Sequence, residues 1–302
     1  MKKVLLSFLK RVSKVLSGKG LAKIPGVMTL YYFIYRIAKP KDVVLINVLG
    51  NKMYVNCKDL GVTSDLLVKG YYEEHETKIF KELVKTGMNV IDIGANIGYY
   101  TLIAAKLVGE SGRVYAFEPD LTNYKLLIKN IKINGYANVF PFQKAVSNKN
   151  GKTKFFIAED SFGNHSFSKS NISEKAKFTE VRTITLDDFF ENTIRDTKID
   201  FIKMDIQGAE GLAIEGMKNI LRNNNVKILM EFWLKGLKNC GTDPMKLLKD
   251  LQECGFRIRV IGKEEYQPEI MEISEIIKLS QNAEKHKETI NLLLEKASDL
   301  RV

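Results

Sequence analysis

The sequence predicts an α/β fold with a doubly wound, Rossmann-like sheet. Short apolar runs rich in β-branched residues recur along the chain, and a segment with helical periodicity follows most of them. Runs of this kind are typical of parallel strands that are buried on both faces, and their alternation with helices is typical of doubly wound sheets. Several runs also end in an acidic residue, which places candidate ligands at one edge of that sheet.

The first core strand and the turn after it lie within residues 89–101. An apolar run at residues 90–93 leads into Gly94 and Gly98, and a helical pattern follows. A strand, a glycine turn and a helix in this order bring backbone N–H groups close to a ligand. The spacing Asp92-x-Gly94-x-x-x-Gly98 differs from the dinucleotide pattern G-x-G-x-x-G, and an acid at the strand end favours an amino-bearing ligand over a pyrophosphate. We interpret the turn as a site for S-adenosylmethionine, with an ordinary βα turn as the alternative.

A second apolar run at residues 113–117 ends at Glu118. An acid at the end of the second strand of a doubly wound sheet lies beside the first strand, where it accepts hydrogen bonds from ribose hydroxyls. A helical face then runs to Gly135, and a third strand near residues 139–143 precedes the segment 144–147. If the ligand is S-adenosylmethionine, its adenine is expected at that segment.

Two later strand ends also carry acidic residues. Asp205 follows an apolar run at residues 201–204, and Glu231 lies near the end of a run at residues 226–232. Because ligands of open α/β sheets bind at the carboxyl ends of the strands, we expect Asp205 in the same crevice as the glycine turn. The remaining predicted elements are helices at residues 74–85, 186–190, 208–221 and 244–251, a strand pair at 154–158 and 181–185, and last strands at 257–261 and 290–294, with one helix in the charged stretch 263–287.

The composition permits a large buried core but selects no partner. The chain has 302 residues, of which 45% are hydrophobic, and a formal net charge of +11. A positive charge favours nucleic acid, anionic lipid or an anionic substrate without distinguishing among them. Cys57, Cys240 and Cys254 are too few and too scattered for a disulfide framework or a zinc site, so we expect a reducing, cytoplasmic location.

We expect an N-terminal extension of basic helices and a β-hairpin at residues 1–70, followed by the main domain at residues 71–302. The hairpin strands are predicted at residues 43–48 and 52–56. No apolar stretch of the extension has the length expected of a signal peptide or a membrane span. Residues 5–16 place apolar and basic side chains on opposite sides of a helix, which predicts either peripheral contact with an anionic membrane or a cap helix on the domain.

Six segments, taken in order, resemble the FkbM family of S-adenosylmethionine-dependent methyltransferases. They are residues 90–101 (VIDIGANIGYYT), 116–119 (AFEP), 144–147 (KAVS), 183–187 (TITLD), 202–210 (IKMDIQGAE) and 230–233 (MEFW). The resemblance implies a class I methyltransferase fold with seven mostly parallel strands and an antiparallel last strand. It also implies O-methylation of a sugar, glycan or other hydroxyl-bearing metabolite. Gln207 departs from the family pattern at the position before the glycine of the fifth segment, which changes the local charge and leaves Asp205 and Glu210 in place.

The glycine turn and the resemblance together imply a set of cofactor-binding residues. These are Glu76, Asp92, Gly94, Ala95, Asn96, Gly98, Tyr99, Tyr100, Thr101, Glu118, Pro119, Ala145, Val146 and Asp205. Methyl transfer from a sulfonium is an in-line displacement, and a base that takes the proton of the acceptor hydroxyl adds about 10²–10⁴-fold. Asp205 is the first candidate for that base and His165 is the second. Glu231, Trp233 and Tyr72 are expected to contact the acceptor, with Trp233 stacking on a sugar face.

Several alternatives stay open on the sequence alone. Asp205 and Glu231 could bind Mg²⁺ together, since paired carboxylates suit a hard cation, and His165 or Trp233 could have no role in the site. The expected partner is a small-molecule, glycan or lipid-linked sugar acceptor. A nucleic-acid methyltransferase is disfavoured, because no Pro-Pro-aromatic turn follows Asp205 and no aromatic-rich RNA-binding appendage is present. A membrane-surface module with a nucleoside crevice is a further alternative, and the glycine spacing disfavours a nicotinamide oxidoreductase.

Overall fold

The computed structural model describes residues 34–35, 37, 39–159, 161–173, 175–194, 197–262, 270–286 and 288–296. The predicted basic helix at residues 5–16 and part of the charged stretch at 263–287 lie outside the described residues. None of the helices in the described part of the chain combines the length with the apolar composition that crossing a lipid bilayer demands.

Strands and helices alternate along the chain, as the apolar runs predict. The strands are β1 (Val43–Val48), β2 (Asn51–Asn56), β3 (Asn89–Ile93), β4 (Arg113–Phe117), β5 (Val139–Phe142), β6 (Ala145–Val146), β7 (Gly151–Phe156), β8 (Phe178–Ile184), β9 (Phe201–Met204), β10 (Lys227–Phe232), β11 (Phe256–Ile261) and β12 (Ile290–Lys296). The helices are α1 (Val62–Val68), α2 (Glu74–Leu83), α3 (Tyr99–Val108), α4 (Leu121–Asn134), α5 (Leu186–Thr193), α6 (Glu210–Glu215), α7 (Lys218–Asn223), α8 (Leu234–Asn239), α9 (Pro244–Glu253) and α10 (Ile273–Lys285).

The main sheet has seven strands in the order β11-β12-β10-β9-β3-β4-β5. β12 pairs antiparallel with both β10 and β11, whereas β10, β9, β3, β4 and β5 pair in parallel. This arrangement confirms the predicted Rossmann-like class I methyltransferase fold with an antiparallel last strand. Because β3, β4, β9 and β10 run in the same direction, their carboxyl ends meet at one edge of the sheet.

Helices cover both faces of the main sheet, so successive residues of one strand enter different apolar clusters. Val90 packs into the cluster that contains α3 and the hairpin β1–β2, and Ile91 packs into the cluster that contains α5 and α9. Both residues are fully buried. Burial on both faces explains the continuous apolar runs from which the strands were predicted.

Asparagine side chains bind the hairpin β1–β2 to helix α4. The amide of Asn130 accepts a hydrogen bond from the N–H of Tyr54 at 2.6 Å and donates one to its carbonyl oxygen at 3.0 Å. One helical turn later, Asn134 makes the same pair of bonds with Lys52, at 2.8 and 2.7 Å. The two amides bond to the backbone of β2 as a neighbouring strand would, and they attach the hairpin to the domain.

The predicted helix at residues 208–221 is wrong as a single element, because the chain breaks between α6 and α7. Gly216 approaches the carbonyl oxygen of Ser147 so closely that a side chain would collide with it. The carboxylate of Asp187 accepts hydrogen bonds from two N–H groups at the start of α7, at 2.9 and 3.0 Å. Contacts with distant residues therefore start α7 as a separate helix. The short helices α1 and α8 were not predicted.

A small second sheet lies beside the main one. Its order is β6-β8-β7, and β7 and β8 pair antiparallel, which confirms the predicted strand pair with bounds shifted by about three residues at the start of each strand. β6 is the segment at which the adenine was expected. The small sheet packs Ala145, Phe155 and Val181 together in an apolar cluster of its own.

Candidate active site

The turn between β3 and α3 requires glycine at two positions. Gly94 and Gly98 have φ angles of +83° and +97°, in the left-handed region. A side chain on Gly94 would collide with the backbone carbonyl of Asp205, and one on Gly98 would press against Leu127. The turn therefore lets the ends of β3 and β9 approach each other. Its N–H groups at residues 94–98, which were expected to face a ligand, are hydrogen-bonded within the protein instead.

Glu118 follows β4, and backbone groups orient its carboxylate. One oxygen accepts the N–H of Asn96 at 2.8 Å, and the other accepts the N–H of Asp120 at 2.8 Å. The residue is only 5% exposed, and this burial raises the pKa of its carboxyl group to about 8. This is the placement expected of a carboxylate that accepts hydrogen bonds from a ribose.

An inner pocket of about 500 Å³ opens beside Glu118. Apolar side chains make up much of its wall, namely Phe117, Pro119, Ala145, Val146, Phe155, Phe162 and Phe167. Flat apolar walls beside an oriented carboxylate match the chemistry of a nucleoside, because its base is apolar on both faces and its ribose donates hydrogen bonds.

Distant parts of the chain fix the loop that carries Phe162 and His165. Asp59 accepts the N–H of Phe162 at 3.0 Å, and Asn123 donates to its carbonyl oxygen at 3.0 Å. Nδ1 of His165 accepts the N–H of Ala158 at 3.0 Å, and the ring lies in the wall of the inner pocket. Burial lowers the pKa of His165, so the imidazole is neutral near pH 7.

A middle pocket of about 550 Å³ adjoins the inner pocket at Gly94 and Asp205. Asp92 and Lys203 line it from the neighbouring strands β3 and β9, and both are almost completely buried. The carboxylate of Asp92 accepts a hydrogen bond from the hydroxyl of Thr101 at 2.5 Å, and burial raises the pKa of Asp92 to about 6. The other side chains that line the pocket include Tyr72, Tyr99, Tyr100 and Gln207.

Gln207 joins the carboxylates at the ends of β9 and β10. Its side-chain amide donates to Oδ1 of Asp205 at 2.9 Å and to Oε2 of Glu231 at 2.9 Å. The other oxygen of Glu231 accepts the hydroxyl of Thr289 at 2.9 Å. Burial is the main reason that the pKa of Glu231 is well above its usual value, and the charge of Asp205 adds to the effect.

Asp205, Glu210 and Glu231 form a candidate metal-ligand group, because one carboxylate oxygen from each lies within 4.8 Å of the others. Glu210 is completely buried, and one of its oxygens accepts the N–H of Ile206 at 3.0 Å. Its other oxygen has no hydrogen-bond partner among the described residues. Three carboxylates suit Mg²⁺, but a cation would have to replace the amide of Gln207, which already contacts two of them.

An outer cleft of about 2300 Å³ begins at Tyr72 and Gln207, where the middle pocket ends. Tyr71, Tyr72 and Trp233 give it aromatic surface. Of the described residues that line it, seven are carboxylic acids and two are lysines. The cleft is therefore an acidic region on a chain whose formal net charge is +11.

The structure brings most of the predicted site residues to these three connected spaces. The inner and middle pockets are lined by Asp92, Gly94, Ala95, Asn96, Tyr99, Tyr100, Glu118, Pro119, Ala145, Val146 and Asp205. The outer cleft is lined by Tyr72, Glu231 and Trp233. Glu76, expected with the cofactor set, also lies in the outer cleft, where it accepts a hydrogen bond from Asn291 at 2.9 Å. Gly98 and Thr101 lie behind the pocket walls, and His165 lies in the inner pocket rather than with the acceptor residues.

Some residues of the site were not predicted as such. A lysine inside an apolar strand was the available signal for Lys203, because charged side chains are rarely buried unless they are paired or serve a site. Gln207 was noted only as a departure from a family pattern, and nothing local showed that it would bridge two carboxylates. Phe155, Phe162 and Phe167 gave no signal, since their positions depend on the small sheet and on the loop that Asp59 holds.

Known proteins that resemble the chain are methyltransferases. The family model described as "Methyltransferase FkbM domain" matches residues 92–258. Hexuronic acid methyltransferase AglP of Haloferax volcanii is 27% identical over 165 residues, which cover 54% of this chain and 60% of AglP. Protein-L-isoaspartate O-methyltransferase of Methanococcoides burtonii is 38% identical over 69 residues, which cover 22% of this chain and 33% of that protein. The chain thus spans less than two thirds of the length of either relative. The crystal structure of methyltransferase FkbM from Methylobacillus flagellatus KT aligns over 77% of this chain and 52% of its own, with 14% identity and a TM-score of 0.41.

Proposed function

Because this chain belongs to the FkbM family of S-adenosylmethionine-dependent methyltransferases, we propose that it methylates a hydroxyl group of a sugar or glycan. The family match confirms the resemblance to the FkbM family that six sequence segments indicate. One observation carries the proposal. The inner pocket, the middle pocket and the outer cleft adjoin one another, and Asp205 lies where the inner and middle pockets meet, with its partner Gln207 at the edge of the outer cleft.

The residues of the inner and middle pockets fit S-adenosylmethionine. Gly94 lines both pockets, and the absence of a side chain there lets the backbone carbonyl of Asp205 approach the turn. Glu118 presents an oriented carboxylate to a ribose, and Asp92 presents a carboxylate that suits an amino group. When bound, the cofactor supplies an electrophilic methyl group on a sulfonium. The protein then aligns the acceptor with that group, an effect worth up to about 7–11 kcal/mol in favourable cases.

We assign to Asp205 the role of the base that takes the proton of the acceptor hydroxyl. The amide of Gln207 holds its Oδ1 at 2.9 Å, which fixes the orientation of the carboxylate. A base in a fixed position that takes the proton as the new C–O bond forms contributes about 10²–10⁴-fold. Gln207 and Glu231 then act as positioning residues for Asp205, and no metal ion is required to orient it.

A sugar is the acceptor class that the outer cleft favours. Tyr71, Tyr72 and Trp233 offer flat apolar surface on which the C–H face of a sugar can pack. The name of the relative AglP, a hexuronic acid methyltransferase, supports a sugar acceptor as well. Acidic side chains outnumber lysines in the cleft, which disfavours a uronate, so we propose an uncharged or amino-bearing sugar for this chain.

Calorimetric titration with S-adenosylhomocysteine tests the cofactor part of the proposal, with NAD as the control ligand. Binding of the first and not of the second supports a methyltransferase crevice. Binding of NAD alone would contradict it.

A set of octyl glycosides tests the acceptor part. Octyl glucoside, octyl glucosaminide and octyl glucuronide share the same anchor and differ in charge. Transfer of label from S-adenosylmethionine to the neutral or amino-bearing glycoside, with little transfer to the glucuronide, is the expected result. A preference for the glucuronide would contradict the charge argument and leave sugar methylation standing.

A further inference from the structure

Lys203 is a charged side chain buried inside the main sheet. It lies on β9, and only 1% of the residue is exposed. Its Nζ has no hydrogen-bond partner among the described residues. Taking an ammonium group out of water without such partners costs on the order of several kcal/mol. A side chain held at this cost beside a pocket is expected to serve a ligand.

Carboxylates surround Lys203 without bonding to it directly. Burial alone would lower the pKa of Lys203, but the nearby carboxylates of Glu73, Asp205 and Asp92 raise it above its usual value, so the side chain is a cation. The ring centre of Tyr100 lies 4.9 Å from Nζ and stabilises the charge from one side. The N–H groups of the ammonium therefore remain available to a ligand.

Asp92 and Lys203 face the same pocket from neighbouring strands. They are register partners in the pairing of β3 with β9, and both line the middle pocket. The carboxylate of Asp92 accepts a hydrogen bond from Thr101 and makes none with Nζ of Lys203. An anion and a cation held side by side without contact are complementary to a zwitterion. An α-amino acid presents such a pair, an ammonium and a carboxylate group on one carbon.

We propose that Lys203 binds the carboxylate of the methionine end of S-adenosylmethionine, while Asp92 faces its ammonium group. The assignment rests on the proposed function, because it takes the ligand of the middle pocket to be that cofactor. A uronate acceptor also carries a carboxylate, but it has no ammonium group to balance Asp92 and Asp205, which line the same pocket. Lys203 is thus the residue that selects for the intact amino-acid end of the cofactor.

Three ligands that share the adenosine group test this assignment by calorimetric titration. S-adenosylhomocysteine has the whole amino-acid end, S-adenosyl-3-thiopropylamine lacks only the carboxylate, and 5′-methylthioadenosine lacks both charged groups. For the wild-type protein we expect S-adenosylhomocysteine to bind about 100-fold more tightly than the thiopropylamine, as for other buried charge pairs. Lys203→Met should remove most of this difference and leave the affinities for the other two ligands within about threefold of wild type.

Lys227→Met is the matched control. Lys227 lies on the neighbouring strand β10, with its ammonium 2.9 Å from Glu295 and outside the lining of the middle pocket. Its replacement by methionine removes the same charge from the protein as Lys203→Met does. This variant should keep the wild-type preference for S-adenosylhomocysteine. Equal weakening of all three ligands by Lys203→Met would overturn the proposal, because it would show a structural role only. If Lys203→Met does not fold, Lys203→Gln is the second variant. The wild-type protein alone also tests the proposal, because equal binding of S-adenosylhomocysteine and the thiopropylamine would overturn it.

Two further arms separate the outcomes. Binding of 5′-methylthioadenosine by the wild-type protein supports the nucleoside pocket whichever way the Lys203 result falls, whereas binding of none of the three ligands would overturn both the proposed function and this assignment. Glucuronate is titrated in the presence of S-adenosylhomocysteine. If Lys203→Met abolishes glucuronate binding and leaves the binding of S-adenosylhomocysteine unchanged, the carboxylate comes from the acceptor and the proposal is wrong.

Discussion

The backbone carbonyl of Asp205 occupies the position that a side chain on Gly94 would take. Gly94 also has a φ angle of +83°, so an alanine there carries left-handed strain of about 1–2 kcal/mol in addition to the collision. We expect Gly94→Ala to lower the free energy of unfolding by more than this strain, because the ends of β3 and β9 must separate. The affinity for S-adenosylhomocysteine should fall by more than about tenfold. Urea unfolding and calorimetry measure the two effects.

Gly135→Ala is the control for Gly94→Ala. Gly135 ends helix α4 at a φ angle of +70°, and no described atom lies within 4 Å of the position that its Cβ would take. This variant carries the strain without the collision, so it should lose about 1 kcal/mol of stability and bind the ligand as wild type does. Equal effects of the two substitutions would show that the approach of Asp205 to Gly94 has no consequence.

Glu118 should make cofactor affinity depend on pH. Burial raises the pKa of its carboxyl group to about 8 in the ligand-free protein, so the group is mostly protonated at neutral pH. Ribose hydroxyls donate hydrogen bonds to the ionised form, and binding therefore releases a proton. The affinity for S-adenosylhomocysteine should rise by up to about tenfold per pH unit between about pH 6 and pH 8. Glu118→Gln should bind more weakly and lose this dependence, and an unchanged pH profile in the variant would assign the effect to another group.

Asp205→Asn should separate chemistry from cofactor binding. The asparagine keeps an oxygen that can accept the amide of Gln207, now 2.9 Å from Oδ1, but it cannot take a proton. We expect turnover to fall by about 10²–10⁴-fold and the affinity for S-adenosylhomocysteine to stay within about threefold. Initial rates with an active glycoside and calorimetry give the two values. Parallel losses of rate and affinity would place Asp205 with the cofactor and not with the acceptor.

Strand positions could be predicted because they depend on residues that are close in sequence. The apolar run at residues 113–117 coincides with β4, since both faces of that strand are buried. The break between α6 and α7 could not be predicted in this way. It depends on Asp187 and Ser147, which are distant in sequence from Gly216 and reach it only in the folded chain.

The residues of the candidate site also differ in whether the sequence alone could indicate them. The meeting of Asp92, Glu118 and Asp205 at one edge of the sheet could be predicted from their positions at strand ends, because the carboxyl ends of parallel strands lie together. The role proposed for Lys203 rests on its register with Asp92 of β3, and the sequence alone does not show how the strands pair. Glu76 was expected beside the cofactor, yet its place on α2 brings it to the outer cleft and to Asn291.

Gln207→Glu should create a demand for a cation. The amide nitrogen of Gln207 is 2.9 Å from Asp205 and 2.9 Å from Glu231, and a glutamate would put a third carboxylate between them. We expect this variant to be less stable and to regain stability with Mg²⁺, because oxygen ligands of this kind suit that ion. Gln207→Met, which removes the donors without adding charge, should be destabilised without a response to Mg²⁺. Stabilisation of the wild-type protein by Mg²⁺ in thermal unfolding would show instead that the carboxylates already form a metal site.

Glu210 should make the ligand-free protein more stable at acidic than at alkaline pH. Burial raises its pKa from 4.5 to about 7, so the folded protein binds a proton that the unfolded chain has released. Stability from this group is therefore present at low pH and is lost as pH rises from about 4.5 to 7, by on the order of 3 kcal/mol. Glu210→Gln cannot titrate, and its free energy of urea unfolding should fall less than that of wild type between about pH 5 and pH 8. Glu215→Gln, at the exposed end of the same helix, controls for the loss of one carboxylate. If Glu210→Gln keeps the wild-type slope, the proton is held elsewhere in the acidic cluster.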